Sequence, residues 1–138
     1  MREILFRGKR IDNGAWVYGY LASYDLIASE YPNDVSDAMG KYYDEIPYVG
    51  FVDVDPETVG QYTGLPDKNG KKIFEGDIVT GLFSFGMEVK AVVAFQNGAF
   101  GLRWSRGGAE QFSAFTSICN MEFDVIGNIH DNPELLEV

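Results

Sequence analysis

The sequence predicts a mainly β fold, with an N-terminal β-hairpin lobe, a short irregular or helical excursion, and then a small β-barrel. Hydrophobic residues make up 46% of the chain and aromatic residues 14%, which is too apolar for a disordered protein. The 16 glycines divide this apolar material into short runs, as is typical of short strands joined by tight turns. We therefore expect one domain over residues 1–138, with the hairpin and excursion in 1–60 and the barrel in 61–138.

The first hairpin is predicted from two apolar runs, residues 3–10 and 15–21, that flank the turn sequence Asp12-Asn13-Gly14. An Asn-Gly pair supplies the positive φ angles that a tight hairpin needs. Alternate residues of the second run form an aromatic row, Trp16, Tyr18 and Tyr20. Because the opposite face is also mostly apolar, we expect the rest of the chain to cover this row.

The excursion is predicted over residues 22–46, where tyrosines mix with acidic residues without a clean strand or helix period. A short helix is expected around Asn33–Tyr43. The following run, Pro47 to Val54, has the β-branched and aromatic residues of a strand. Asp55 then precedes a proline, which predicts a capping residue and then a turn or a one-turn helix.

The second half contains the clearest turn signals. Asp67-Lys68-Asn69-Gly70 predicts one reversal, and Gln96-Asn97-Gly98-Ala99 between two apolar runs is the strongest hairpin signal in the chain. Gly76-Asp77-Ile78-Val79 predicts a tight turn that leads into a barrel strand, as in small SH3-like barrels. The glycine allows the tight turn, the aspartate side chain bonds to nearby backbone, and the last two residues form the wall of the barrel. Further strands are predicted at 109–118 and 122–129, and closure into an SH3-like barrel would remove exposed edges.

Charge and targeting features exclude several functional classes. The net charge is −10, so phosphate repulsion disfavours direct DNA or RNA binding. The one basic cluster at the front comprises Arg2, Arg7, Lys9 and Arg10. We find no signal-peptide pattern and no apolar window long enough for a membrane span, and the single cysteine forms no internal disulfide. The expectation is a cytoplasmic protein without a membrane partner.

Candidate chemical groups have simpler structural interpretations. Asp53, Asp55 and Glu57 alternate and are suited to a hard divalent cation, but the intervening proline indicates that Asp55 is a turn cap. Cys119 and His130 would have to meet in a cleft to act as a nucleophile pair. We expect instead that Cys119 is a small buried side chain and that His130 is a structural residue of a turn.

No phosphate-binding loop follows any of the glycines. Trp16 and Trp104 can in principle stack on bases, but each lies in a strand pattern where core packing is expected. We assign no catalytic, cofactor-binding or metal-binding residues and no cofactor, and we expect a protein that is not an enzyme.

Three long stretches together resemble the YopX family. They are the opening Arg2-Glu3-Ile4-Leu5-Phe6-Arg7-Gly8-Lys9 with Trp16-Val17-Tyr18-Gly19-Tyr20, the middle runs from Val54 to Leu65 and from Asp67 to Val79, and the closing Val125-Ile126-Gly127-Asn128-Ile129-His130-Asp131-Asn132-Pro133. The resemblance covers nearly the whole chain except residues 22–46. It implies a phage or prophage origin, a largely β fold and self-assembly, and it carries no catalytic residue.

The function predicted from the sequence is a phage or prophage accessory protein of unknown molecular function. We expect a homo-oligomeric, non-enzymatic binding or assembly module that acts through a tyrosine-rich acidic surface, with a host or phage protein as possible partner. All eight tyrosines lie between residues 18 and 62, whereas eight of ten phenylalanines follow residue 70. Two alternatives stay open: an acidic inhibitor of a host nucleic-acid-binding protein, and a small hydrolase or metal-dependent enzyme.

Overall fold

The structure is a computed structural model, and it describes residues 4–29, 50–82, 88–106, 108–115 and 122–136. Of the strands in these ranges, four precede residue 54: β1 (Phe6–Lys9), β2 (Trp16–Ser23), β3 (Leu26–Ser29) and β4 (Gly50–Asp53). Seven follow: β5 (Gly60–Pro66), β6 (Lys72–Phe74), β7 (Asp77–Leu82), β8 (Glu88–Gln96), β9 (Ala99–Arg106), β10 (Ala109–Ala114) and β11 (Phe123–Asn128). Short 3-10 turns lie at Pro56–Thr58 and Pro133–Leu136. The predicted mainly β class is confirmed.

The chain forms two compact units, Met1–Gln61 and Tyr62–Val138. In the N-terminal unit, antiparallel pairing gives the strand order β4-β3-β2-β1, and β1 also pairs with the first two residues of β5. The chain after β4 then returns to β1: a bridge joins Arg10 to Val54, and the Asp55 N–H donates to the Lys9 carbonyl at 2.9 Å. Strands β1 to β4 therefore close on themselves.

The core of the N-terminal unit lies inside this ring of strands. Its buried members are the β-branched residues Val17, Ile27, Val52 and Val54, with Val59 packed against them. Gly8 faces the same core, and a Cβ there would lie only 3.0 Å from the Val54 side chain. The close approach of β1 to this valine explains why a glycine stands in the strand.

The predicted excursion is wrong for residues 22–29. These residues complete β2, form a turn and build β3, whose inward side chains are Ile27 and Ser29. Sequence reasoning missed β3 because it is four residues long and lacks a glycine turn before it, so its identity depends on pairing with β2 and β4. The rest of the predicted excursion, including the helix at Asn33–Tyr43, lies outside the described residues.

In the C-terminal unit, five antiparallel strands form a sheet in the order β10-β9-β8-β7-β11. The predicted Asn97-Gly98 hairpin between β8 and β9 is confirmed: both residues have positive φ, 54° and 80°, and Gln96 pairs with Ala99 across a two-residue loop. Closure of this sheet into an SH3-like barrel stays a prediction.

The corner before β7 follows the sequence interpretation closely. Gly76 has a φ of 93°, and an Asp77 carboxylate oxygen accepts a hydrogen bond from the Phe74 N–H at 2.7 Å. Ile78 and Val79 are then fully buried, and Val79 belongs to the core of this unit. The remaining buried members of that core are Ile73, Ala91, Val93, Leu102 and Phe123.

Candidate interaction surface

Strand β2 turns its aromatic row outward. Val17 points into the N-terminal core, so the alternate residues Trp16, Tyr18 and Tyr20 lie on the opposite face. Tyr18 is 46% exposed and Tyr20 is 66% exposed. The expectation that the rest of the chain covers this row is therefore wrong for both tyrosines, because the ring of strands buries the valine side of β2.

The strand register extends this outer face across the unit. Tyr20 stands opposite Ala28 on β3, and Ala28 stands opposite Phe51 on β4. Directly opposed residues share a face of the sheet, so Phe51, which is 67% exposed, lies on the same side as the tyrosines. We call Trp16, Tyr18, Tyr20 and Phe51 the aromatic face.

Two cationic side chains border the aromatic face on β1. Arg7 stands opposite Tyr18, and Lys9 stands opposite Trp16. The Arg7 guanidinium carbon lies 4.5 Å from the centre of the Trp16 ring, and the Lys9 ammonium nitrogen lies 5.8 Å from it. Both distances allow cation–π attraction. Trp16 is half-buried and engaged by these cations, whereas Trp104 packs against the C-terminal core, as predicted for it.

The predicted basic cluster is not a free patch of positive charge. Arg7 and Arg10 are each only 5% exposed. Arg10 donates two hydrogen bonds to the Asp12 carboxylate, from Nε at 2.9 Å and from Nη2 at 2.7 Å. The hydrogen bond from Arg10 lowers the pKa of Asp12 below its usual value. Arg2 lies outside the described residues, so Lys9 is the half-exposed cation among the cluster members that are described.

The acidic residues after β4 act first as turn elements. An Asp55 carboxylate oxygen accepts a hydrogen bond from the Glu57 N–H at 3.1 Å, which confirms Asp55 as the predicted cap. Asp53, Asp55 and Glu57 are all exposed. In the described ranges, the structure brings together no group of three or more histidine, cysteine, aspartate or glutamate residues suited to a metal ion.

His130 lies in the turn that follows β11, as the sequence interpretation placed it. The buried Asn128 organises this turn, because its side-chain oxygen accepts hydrogen bonds from the His130 N–H at 3.0 Å and the Asp131 N–H at 2.9 Å. The Asn128 amide donates in turn to the Asp131 carboxylate at 3.2 Å. Cys119 lies outside the described residues.

Asp67 is the buried polar residue whose role the sequence only half reveals. One carboxylate oxygen accepts from the N–H groups of Asn69 and Lys71 at 2.8 and 2.9 Å, which closes the predicted turn. The other accepts from the Val125 N–H on β11 at 3.1 Å. Burial alone would raise the pKa of Asp67, but these three backbone donors outweigh it and lower the pKa. The Asp-x-Asn-Gly pattern signals the turn, and nothing in the sequence signals the bond to β11.

No helix within the described ranges has the length and apolar character needed to cross a lipid bilayer. A protein-family model described as "YopX protein" matches residues 5–137 of the chain. Among solved structures, the chain is similar to the crystal structure of protein EF1440 from Enterococcus faecalis, with a TM-score of 0.57 and 23% sequence identity. That similarity covers 99% of this chain and 100% of the other, and at this identity it concerns the fold alone. The search of curated proteins found no match.

Proposed function

The chain belongs to the YopX family, and from that premise we propose that it is a phage or prophage accessory protein acting as a non-enzymatic assembly module. It forms homo-oligomers in the host cytoplasm, and the aromatic face is the surface through which the copies associate. The observation that carries this proposal is the outward exposure of Tyr18, Tyr20 and Phe51 on one side of a closed set of strands.

The area of the aromatic face supports an interface. A fully buried aromatic side chain removes about 150–250 Å² from water, so the exposed parts of Tyr18, Tyr20 and Phe51 together offer roughly 300 Å². A standard interface buries about 800 Å² per partner. These three side chains would therefore supply more than a third of one, and tyrosine and phenylalanine are residue types enriched at interface cores.

The charge distribution determines which surfaces of two copies can come into contact. Two chains that each carry −10 repel at long range, so contact must occur where the negative charge is locally lowest. Arg7 and Lys9 place positive charge beside the aromatic face. Salt screens the long-range repulsion and leaves apolar contact intact, so we expect association to strengthen as salt is raised.

Light scattering coupled to gel filtration tests the proposal. The parent protein should have the mass of an oligomer, and the double variant Tyr20→Ser/Phe51→Ser should shift toward the monomer with unchanged far-UV circular dichroism. Phe95→Ser is the matched control, because Phe95 is also a strand phenylalanine and is 54% exposed in the C-terminal unit. A monomeric parent at micromolar concentration, or an equal shift in the control, would overturn the proposal.

A second candidate function rests on the exposed carboxylates. Within the described part of the chain, Asp53, Asp55 and Glu57 are exposed and none of them forms an ion pair. Their negative charge can imitate nucleic-acid phosphates, which would suit an inhibitor of a host nucleic-acid-binding protein. Affinity capture from host lysate separates the two: a captured partner released by added nucleic acid supports inhibition, whereas self-association alone supports assembly.

A further inference from the structure

Three Asn-Gly pairs occur in the chain, and each lies in an exposed turn. They are Asn13-Gly14, Asn69-Gly70 and Asn97-Gly98. An asparagine followed by glycine is prone to a spontaneous reaction, because the small glycine lets its backbone nitrogen approach the asparagine side-chain carbonyl carbon. Since all three pairs are open to water, solvent access does not distinguish them.

Hydrogen bonding protects the first two pairs. The Gly14 N–H donates to the Arg10 carbonyl at 2.9 Å, and the Asn13 side-chain oxygen accepts from the Ala15 N–H at 2.9 Å. The glycine nitrogen and the asparagine side-chain carbonyl, which must react with each other, are therefore both held in hydrogen bonds. Freeing them would require breaking two hydrogen bonds before the reaction can start.

The second pair is engaged in the same way. The Gly70 N–H donates to the Asp67 carbonyl at 3.0 Å. The Asn69 amide donates to the Asp124 carboxylate on β11 at 3.1 Å, across 55 residues of sequence. Asn69 is thus fixed at its side chain and Gly70 at its backbone nitrogen.

The third pair differs from both. Within the described part of the chain, neither the Asn97 side chain nor the Gly98 N–H has a hydrogen-bond partner. This follows from the turn, since the closing pair of the two-residue hairpin is Gln96 with Ala99, and the central N–H points away from the ladder. The space around the glycine does not distinguish the pairs, since at Gly14, Gly70 and Gly98 alike no atom beyond the chain neighbours lies within 4 Å of an added Cβ.

We propose that Asn97 is a self-modification site, at which the folded protein converts asparagine to isoaspartate and aspartate. The Gly98 backbone nitrogen loses its proton to solvent base and attacks the Asn97 side-chain carbonyl carbon. A new carbon–nitrogen bond forms, the bond to the side-chain nitrogen breaks, and ammonia leaves. Water then opens the resulting five-membered imide at either carbonyl, so one water is consumed for each ammonia released.

The modification changes the backbone and the charge of the turn between β8 and β9. Isoaspartate carries the main chain through its side-chain carbon and so adds one atom to a two-residue turn between two core strands. The same step adds a negative charge at the tip of the hairpin. Strands β8 and β9 contribute Val93 and Leu102 to the C-terminal core, so a change in their register reaches that core.

Peptide mapping by mass spectrometry, with fragmentation that distinguishes isoaspartate from aspartate, tests the proposal on the full chain in mildly alkaline buffer. The folded protein should convert Asn97 at least about tenfold faster than Asn13 or Asn69, because two hydrogen bonds hold each of the others. In urea, where the turns are lost, the three rates should converge. Faster conversion at Asn13 or Asn69 in the folded protein, or equal rates at all three, would overturn the proposal.

A variant tests the hydrogen-bond explanation separately. Asp124→Ala removes the partner of the Asn69 side chain and leaves the β8–β9 hairpin untouched. Conversion at Asn69 should rise while conversion at Asn97 stays unchanged. An unchanged Asn69 rate in a protein that still folds, as checked by circular dichroism, would contradict hydrogen bonding as the protecting factor.

Discussion

The Asp67 side chain joins the 67–70 turn to β11 by hydrogen bonds, a connection that we call the clamp. Replacing Asp67 with asparagine tests it. The carboxylate is only 7% exposed and accepts three backbone hydrogen bonds, from Asn69, Lys71 and Val125. An asparagine has nearly the same shape but a single acceptor oxygen, so it can keep the two turn bonds and must lose the one to Val125. The variant thereby removes the long-range bond and keeps the two turn bonds, although these now go to a neutral acceptor.

The magnitude follows from the kind of bond that is lost. A hydrogen bond to a charged group contributes about 1.5–3 kcal/mol, and a buried backbone N–H left without a partner costs about 1–3 kcal/mol. These are two descriptions of one loss, so we expect Asp67→Asn to lower the free energy of unfolding by about 2–3 kcal/mol at neutral pH. For a chain of this size the melting temperature should fall by roughly 6–12 °C.

The effect should depend on pH with a defined sign. The pKa of Asp67 is lowered in the folded protein from its ordinary value of 3.8, so the charged form contributes stability above that value. The contribution is lost as the pH falls through the lower, folded-state pKa. Asparagine does not titrate, so the gap in unfolding free energy between parent and variant should be widest at neutral pH and narrow as the pH drops below about 4.

Urea unfolding at neutral and acidic pH, with the slope of the transition checked for constancy, measures both effects. The matched control is Asp53→Asn, which makes the same change of charge at an exposed position on β4. It should alter stability by less than about 0.5 kcal/mol. If Asp67→Asn were as stable as the control, or if its gap widened on acidification, the clamp would have no energetic role.

The remaining predictions concern the hairpin and the charge. Gly98→Val should lower the free energy of unfolding in urea by about 1–2 kcal/mol, because valine resists the positive φ of 80°. Gly98→Asn should lower it by less, since asparagine tolerates that region. Equal stability of the parent and Gly98→Val would refute this. In gel-shift titrations the protein should not bind duplex DNA at physiological salt, because acidic residues outnumber basic ones 21 to 11. A shift that persists at that salt and vanishes with Lys9→Ala would contradict the proposed function.

The local turns could be predicted because their chemistry lies within a few residues of sequence. The Asn97-Gly98 hairpin has the expected positive φ angles, and Asp55 caps the 3-10 turn before Glu57 as its position beside a proline indicates. Each depends on side chains and backbone groups that the chain brings together by itself. By contrast, β3 was missed because a four-residue strand without a turn signal is defined only by its neighbours.

The aromatic face shows where the same reasoning failed. Period-2 alternation correctly separates Tyr18 and Tyr20 from Val17, but it does not say which side of the strand faces the core when both are apolar. The core-facing side of β2 is determined by the closure of the N-terminal strands around the valines. Arg7 and Arg10 are buried as well, although the charge pattern suggested a basic patch.

By itself, the sequence determined the mainly β class, the principal turns and the acidic charge, since short-range geometry and composition are sufficient for each. Only the tertiary structure decided the closure of β1 through β4 at the Arg10–Val54 bridge, the outward exposure of the aromatic face, and the bond from Asp67 to a strand 58 residues away. These features join segments whose separation in sequence carries no periodic signal. Their partners are selected by packing and by the requirement that buried polar groups be hydrogen-bonded, which act only once the chain is folded.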